Sequence, residues 1–249
     1  MKDLDVLFSR HLAFWGEEKQ RILAKSSVVI AGVGGLGCIV AQILVRAGIG
    51  TLILIDNKSI DRPDLNRQAL FTLEDVGKSK IEVASQKLSV LTRFTRLIPL
   101  QLSITDAQFP ETLHHYSFDG IADCLDNYPS RFALESALGE HQFLVHGGVQ
   151  EDYGQLTTIV KQQTPLLKDI YYGMPQEEKM IPVCPQIVFC LGSLMAYEVQ
   201  KNLWNEPELR NTLLVVELSD FSFSKIPLTP LTERKEQAFF TGKRRGDVA

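Results

Sequence analysis

The sequence predicts an α/β protein with a doubly wound, mainly parallel β-sheet that is continued by antiparallel strands and has helices on both faces. Two short runs, 26–32 (SSVVIAG) and 51–56 (TLILID), are almost wholly apolar and rich in β-branched residues, as strands are when helices cover both faces of a parallel sheet. A glycine-rich turn and a helical segment, 36–47, separate them, which makes a βαβ unit of about 30 residues. The chain has 249 residues, 45% of them hydrophobic, which is enough for a large core.

The other elements follow from shorter patterns along the chain. Apolar residues at helical spacing predict an N-terminal helical segment over 1–25, and the main domain is expected over 26–235. Within that domain we expect helices at 77–91, 131–138 and 187–203, strands at 96–102, 120–124, 143–146 and 155–160 (the last one antiparallel), and a closing hairpin, LLVVEL and FSFSKIPL. Residues 161–184 contain three prolines and no helical period, which favours a long mobile loop. Residues 236–249 are expected to form a disordered tail.

Composition excludes several classes of protein. Lysine and arginine number 26 against 30 aspartates and glutamates, a net charge of −4, which argues against a protein that coats nucleic acid or an anionic membrane. Four cysteines, Cys38, Cys124, Cys184 and Cys190, form no CxxC pair, so neither a disulfide framework nor a four-cysteine zinc site is expected. The N-terminal segment carries charges throughout and has no apolar signal region, which favours a cytoplasmic protein without a membrane anchor.

A glycine motif joins the first strand to the first helix of the βαβ unit. Gly32, Gly34 and Gly37 form GxGxxG, with a fourth glycine at Gly35. Such a turn lets the backbone approach a phosphate closely, and the helix N-terminus adds its positive end. Asp56 follows the second strand, 24 residues after Gly32, where a carboxylate can accept hydrogen bonds from ribose hydroxyls. The motif predicts an adenine nucleotide on a Rossmann-like sheet and leaves NAD, FAD, S-adenosylmethionine and ATP open.

Charged residues further along the chain favour ATP over the other nucleotides. Arg67 lies in DLNRQ, Lys80 in VGKSK, and Asp126 in DCLDN after a later strand, so we expect them to meet at one edge of the sheet. A dinucleotide's diphosphate is bound mainly by backbone amides, whereas a triphosphate carries more charge and requires Arg, Lys and a magnesium-binding Asp. Each residue alone fits an ordinary surface or turn position. The three together, in this order, predict a triphosphate site.

Several short motifs occur in one order over roughly residues 5 to 228. They are Ser9-Arg10, GVGGLG, Asp56, DLNRQ, VGKSK, DCLDN with Arg131, and GSLMAYEVQK at 192–201. In this combination the sequence resembles the ThiF/MoeB/HesA family, the bacterial relatives of ubiquitin-activating enzymes. The resemblance covers nearly the whole chain and is far more specific than the glycine motif alone.

This resemblance implies an ATP- and magnesium-dependent adenylyltransferase. Its expected acceptor is the C-terminal glycine carboxylate of a ubiquitin-like, β-grasp sulfur-carrier protein that ends in Gly-Gly. Catalytic roles are implied for Arg10, Arg67, Lys80 and Asp126, with Asp126 holding the magnesium ion and Arg10 reaching into the ATP site of the partner subunit of a homodimer. Nucleotide contacts are implied for Gly32, Gly34, Gly35, Gly37, Asp56, Arg67, Gln68, Lys80, Asp126 and Asn127.

The sequence departs from the family pattern in several places. Many members carry two CxxC pairs that bind zinc; the corresponding segments here, 165–171 (PLLKDIY) and 226–235 (IPLTPLTERK), contain no cysteine, so no zinc site is expected. Asp64 stands where the family usually has Asn, which adds negative charge near the expected triphosphate. Cys184 lies six residues from the position of a loop cysteine that some members use for covalent transfer, and we expect a small loop residue there. The histidines, His146 among them, show no ligand spacing and are expected at the surface or in turns.

Other functions stay open at this point. A dehydratase-like branch of the family activates a carboxylate on tRNA, but the acidic balance and the lack of a basic run other than Lys243–Arg245 argue against it. A small-molecule or peptide acceptor is compatible with the missing zinc cysteines, and a non-catalytic ATP-binding scaffold is compatible with Asp64. An NAD oxidoreductase would leave Arg67, Lys80 and Asp126 without a role.

Overall fold

A mixed β-sheet forms the centre of the protein. The computed structural model describes residues 6–173 and 181–229, and within these ranges the chain forms eight strands. They are β1 Ser27–Ala31, β2 Thr51–Ile55, β3 Arg96–Leu100, β4 Gly120–Asp123, β5 Phe143–Gln150, β6 Tyr153–Val160, β7 Thr212–Glu217 and β8 Ser222–Pro227. Their order is β3-β2-β1-β4-β5-β6-β7-β8, parallel from β3 to β5 and antiparallel from β5 to β8. The predicted fold class is confirmed, including the antiparallel continuation.

Helices cover both faces of this sheet. In the described ranges they are α1 Ser9–Lys25, α2 Gly35–Ala47, α3 Lys80–Ser89, α4 Phe109–His114, α5 Tyr128–Ser136, α6 Leu167–Ile170 and α7 Pro185–Leu203. Successive residues of β1 pack on opposite sides: Val28 and Ile30 join the core under α2, α3 and α7, whereas Val29 and Ala31 join the core under α4, α5 and α6. Because both faces are buried, the central strands are apolar at successive positions.

The local structure differs from prediction in a few places. The helix expected from residue 77 begins at Lys80, because Gly77 has a φ of 87°. The helices α4 and α6 were not predicted, since six and four residues are too short to show a helical period. The helix α6 falls inside the expected loop 161–184 and precedes the buried Tyr171.

Other predicted boundaries lie outside the described residues. Residues 174–180 of the expected loop and the expected tail, 236–249, belong to this group, so the domain boundaries stay predictions. Among the helices of 6–173 and 181–229, none is both long and apolar enough to cross a membrane.

The topology creates a crevice between β1 and β4. The chain runs outward from β1 to β2 and β3 and then returns to β4 on the other side of β1. Connections at the carboxyl ends of these two strands therefore diverge, and open α/β sheets bind ligands at this point. Gly32 follows β1, and Cys124, whose N–H donates to the Ala31 carbonyl at 2.9 Å, follows β4.

Candidate active site

The glycine turn lies at the carboxyl end of β1, directly before α2. Gly32 has a φ of 87°, and a Cβ on it would lie 2.9 Å from the carbonyl oxygen of Cys124. A Cβ on Gly37 would lie only 2.0 Å from the carbonyl oxygen of Gly32. At Gly34, by comparison, the nearest atom to a Cβ would be Gln68 Nε2 at 3.8 Å. Backbone packing therefore requires glycine at two of these positions, and the tight turn brings the N-terminus of α2 to the crevice.

Asp56 connects the glycine turn to the neighbouring strand β2. Its Oδ2 accepts a hydrogen bond from Val33 N–H at 2.8 Å, and its Oδ1 accepts one from Lys58 N–H at 2.8 Å. Both donors are backbone groups, so the half-buried carboxylate is fixed at the crevice and each oxygen keeps a lone pair. The structure places Asp56 beside the glycine turn, while its contact with a ribose stays a prediction.

Two predicted phosphate-binding cations converge on Asp64. Lys80 Nζ lies 2.9 Å from Asp64 Oδ2, and Arg67 Nη2 lies 3.7 Å from Asp64 Oδ1. Gln68 Nε2 donates to Asp64 Oδ1 at 2.6 Å. Only 6% of the Lys80 side chain is exposed, and a buried ammonium needs a counter-charge. Asp64, which the sequence left unexplained, supplies it.

This charged cluster packs directly against the glycine turn. A Cβ on Gly34 would lie 3.8 Å from Gln68 Nε2, and a Cβ on Gly35 would lie 3.7 Å from Arg67 Cγ. A 3₁₀ turn, Arg62–Asn66, brings these side chains there: the Asp64 carbonyl accepts from Arg67 N–H at 3.1 Å and from Gln68 N–H at 2.9 Å. Local hydrogen bonds fix the shape of this turn, and packing places its side chains beside the glycine motif, although the two segments are about thirty residues apart in sequence.

The segment after β4 contributes Asp126 and Asn127. Lys58 Nζ lies 2.9 Å from Asp126 Oδ2, and Asn127 Nδ2 donates to Asp126 Oδ1 at 3.0 Å. Asn127 is also the N-cap of α5, because its Oδ1 accepts from Ser130 N–H at 2.9 Å. Partial burial raises the pKa of Asp126, but the hydrogen bond and charge of Lys58 outweigh this and leave the pKa below its usual value. Asp126 is therefore an ionised carboxylate at the crevice.

Lys58 is a charged residue of the crevice that sequence reasoning missed. It belongs to no recognised motif, and its contacts in the folded chain, above all the ion pair with Asp126, identify it. Burial lowers the pKa of Lys58, but the hydrogen bond to Asp126 and the nearby carboxylates raise it by more. The ammonium is therefore charged across the neutral pH range.

Arg10, the remaining predicted catalytic residue, lies away from this crevice in its own chain. It is exposed in the first turn of α1, two residues after the buried Phe8. The Phe8 ring packs at Gly48, where a Cβ would lie 2.8 Å from Phe8 Cζ. Gly48 caps the C-terminus of α2, whereas the glycine turn is at the N-terminus of this 13-residue helix, about 18 Å away. A role of Arg10 across a homodimer stays a prediction.

A buried chain of hydrogen bonds supports the segment that carries Asp126. Asp123 Oδ2 lies 2.7 Å from His146 Nδ1, and His146 Nε2 lies 2.8 Å from the Tyr171 hydroxyl. The other carboxylate oxygen of Asp123 accepts from Leu125 N–H at 3.1 Å. Arg131 Nη2 donates to the Leu125 carbonyl at 2.6 Å. The backbone next to Asp126 is thus fixed from both sides.

The expectation that His146 lies at the surface or in a turn is wrong. It is fully buried in β5. Burial lowers the pKa of His146, and the hydrogen bond to Asp123 opposes that shift without cancelling it. The sequence did contain a signal, because His146 ends the apolar run FLVH that was itself predicted as a strand.

The positions of the acidic residues and cysteines can be compared with what magnesium and zinc sites require. Within 6–173 and 181–229, no three His, Cys, Asp or Glu side chains come together as a set of metal ligands. Magnesium is commonly held by one or two carboxylates together with substrate phosphates, and the exposed Asp126 beside the glycine turn fits that arrangement.

The segment expected to align with a zinc-binding pair forms α6, where Asp169 Oδ2 accepts from Leu166 N–H at 3.1 Å. Cys184 is half-buried at the start of α7.

Fold and site together define a nucleotide-binding α/β protein with a glycine turn and a charged rim at the switch point of its sheet. The chain belongs to the ThiF family, whose model matches residues 8–237.

The relatives carry related names. The chain is 32% identical over 226 residues to a sulfur carrier protein adenylyltransferase of Thermus thermophilus, covering 85% of this chain and 82% of the relative. It is 30% identical over 230 residues to the SAMP-activating enzyme E1 of Haloferax volcanii, covering 88% and 84%. Among solved structures, E. coli MccB with AMPCPP and MccA superposes with a TM-score of 0.75 at 24% identity, covering 89% of this chain and 71% of that one, which supports the fold.

Proposed function

We propose that this protein is an ATP-dependent adenylyltransferase that activates the C-terminal glycine carboxylate of a ubiquitin-like, β-grasp sulfur-carrier protein. The product is an acyl-adenylate, and pyrophosphate is released. One observation carries the proposal: Arg67, Lys80 and Asp126, from three separate segments of the chain, lie around a glycine turn at the switch point of the sheet. Family membership and the names of the relatives support the acceptor.

The reaction joins two anions, so charge neutralisation is its main requirement. A glycine carboxylate is ionised at pH 7 and needs no general base. Its oxygen forms a bond to the α-phosphorus of ATP while the bond from that phosphorus to the bridging oxygen breaks, and pyrophosphate leaves on the opposite side. Arg67 and Lys80 are the cations that we assign to the phosphate oxygens. Magnesium, held by Asp126, would supply further positive charge beside the leaving group.

The remaining parts of the site have supporting roles in this proposal. Asp56 holds the ribose hydroxyls, and the glycine turn with the N-terminus of α2 binds phosphate oxygens. Gln68 and Asn127 orient Asp64 and Asp126 through the hydrogen bonds described above. Arg10 acts in the ATP site of the partner subunit of a homodimer, because in its own chain it lies near the far end of α2.

The proposal is tested by isotope exchange between pyrophosphate and ATP. Exchange is expected only when a small carrier protein ending in Gly-Gly is added; exchange that depends on tRNA or on a small carboxylic acid would assign a different acceptor. Asp126→Ala is expected to abolish exchange, and the fold is expected to persist because 69% of the Asp126 side chain is exposed. Glu74→Ala removes an exposed carboxylate that is not assigned to the nucleotide and serves as the matched control. Wild-type exchange by Asp126→Ala would refute the site assignment.

A further inference from the structure

Lys58 contacts three residues of the proposed ATP site. Its N–H donates to Asp56 Oδ1 at 2.8 Å, its carbonyl accepts from Lys80 N–H at 3.1 Å, and its ammonium lies 2.9 Å from Asp126 Oδ2. The backbone of Lys58 is therefore fixed between the residues assigned to the ribose and to the phosphates. Its side chain is 58% exposed, so the ammonium can reorient without any movement of the backbone.

The charge balance of the crevice gives this lysine a function. Around the glycine turn there are three carboxylates, Asp56, Asp64 and Asp126, but only two cations, Arg67 and Lys80, among the residues assigned from sequence. Without a further cation the group would carry one net negative charge and would repel a polyanionic nucleotide. Lys58 brings the sum to zero. Its ammonium pairs with Asp126, whereas Arg67 and Lys80 pair with Asp64.

We propose that Lys58 is a further ATP-binding residue of this protein, whose ammonium balances the carboxylates of the crevice and pairs with the phosphate chain of bound ATP. The inference rests on the proposed function, since it assigns Lys58 to the same nucleotide site. A lysine ammonium suits this role because it presents three donors on a flexible stem and binds phosphate as a point charge.

Direct binding measurements with Lys58→Met test the assignment. Affinities for ATP, ADP and AMP are measured by titration calorimetry, with magnesium chloride and separately with EDTA. We expect ATP to bind about tenfold more weakly than to the wild type under both conditions, the size typical of one lost charge-assisted hydrogen bond. AMP binding is expected to weaken much less than ATP binding, because AMP lacks the β- and γ-phosphates and carries less negative charge. Lys58→Arg keeps the charge and is expected to bind ATP nearly as the wild type does.

Lys78→Met is the matched control. Lys78 has nearly the same exposure, 57% of its side chain, and also lies near an aspartate, with Nζ 3.5 Å from Asp75 Oδ1, but neither residue of that pair is assigned to the nucleotide. Unchanged ATP binding by Lys58→Met, or equal weakening for ATP and AMP, would overturn the inference. Tighter binding of magnesium–ATP would also overturn it, because Lys58 would then only compete with the metal for Asp126. If the wild type itself binds no ATP, the proposed function fails; if the wild type binds ATP and Lys58→Met binds it with the same affinity, only this inference fails.

Discussion

The two sides of the nucleotide crevice are held together by different forces. The glycine side consists of residues 32–37 with Asp56. It is fixed by hydrogen bonds to the backbone and by close van der Waals packing, since a Cβ added at Gly37 would overlap the carbonyl oxygen of Gly32. The charged side consists of two ion-paired groups, Lys58–Asp126 and Lys80–Asp64–Arg67. Close backbone packing admits no added atom, whereas the exposed Lys58–Asp126 pair is weak, and both ion-paired groups can exchange a carboxylate for a phosphate. We therefore expect changes on the glycine side to alter stability and changes on the charged side to alter nucleotide binding and catalysis.

Gly37→Ala is expected to have the largest effect. The added methyl group would lie 2.0 Å from the carbonyl oxygen of Gly32, so α2 or β1 must shift, at a cost of about 3 kcal/mol in the free energy of unfolding. Urea denaturation followed by circular dichroism measures this cost. Gly34→Ala, where the nearest atom is 3.8 Å away, is the matched control and should keep most of the stability. Equal stability of the two variants would contradict the steric account of the glycine side.

Lys80→Ala tests the charged side. We expect the rate of pyrophosphate exchange to fall about a hundredfold or more, the usual effect of removing one group that stabilises transition-state charge. Loss of a buried counter-charge lowers stability, but the fold is expected to persist, because Asp64 keeps Arg67 nearby and its hydrogen bonds from Gln68 and from Asp61 N–H. Exchange kinetics and a thermal melt together separate the two effects. A variant that exchanges at the wild-type rate would show that Lys80 serves only to neutralise Asp64.

Asp64→Asn tests whether the Asp64 carboxylate competes with phosphate for the cations of the charged side. The substitution keeps the size of the side chain but removes the charge that Lys80 and Arg67 share, so both cations become available to phosphate. ATP is expected to bind several-fold more tightly, since phosphate no longer competes with a carboxylate about 3 Å from the ammonium. Calorimetric titration in low salt checks this. Weaker binding would indicate instead that Asp64 mainly orients the two cations.

Substitution of His146 is expected to have the smallest effect, which is confined to the pH dependence of the free energy of unfolding. Burial lowers the pKa of His146 in the folded protein. Below about pH 6.5 the unfolded chain therefore binds a proton at this residue more readily than the folded protein does. The free energy of unfolding is therefore expected to fall as the pH drops below about 6.5, by at most about 1.4 kcal/mol per pH unit for one proton, and to be unaffected by this group above that pH. His146→Gln should flatten this pH dependence, whereas His115→Gln, at an exposed position, should not. Denaturation curves from pH 5 to 8 measure the difference. Parallel curves for the wild type and His146→Gln would contradict it.

Much of the fold could be predicted because local pattern and tertiary burial agree. Both central strands are apolar at successive positions, and the glycine motif with Asp56 marks the crevice at their carboxyl ends. Arg67, Lys80 and Asp126 stood out because a triphosphate requires cations and an oxygen ligand. Short helices such as α6 lacked a visible period. The surface position predicted for His146 was wrong because the prediction used the lack of metal-ligand spacing among the histidines and did not use the apolar strand that contains His146.

What the sequence determined by itself was the set of residue types and their order: a glycine turn, a carboxylate after the second strand, and basic residues before the next acidic segment. Only the tertiary structure decided which charges meet. Lys58 and Asp126 are 68 residues apart, and their pairing depends on β1 lying between β2 and β4, an arrangement that no local pattern encodes. The same holds for Asp64, whose charge looks unfavourable in sequence and becomes the partner of Lys80 once the 3₁₀ turn packs beside α3. Electrostatic energy depends on distance in space, and the chain sets that distance only when it folds.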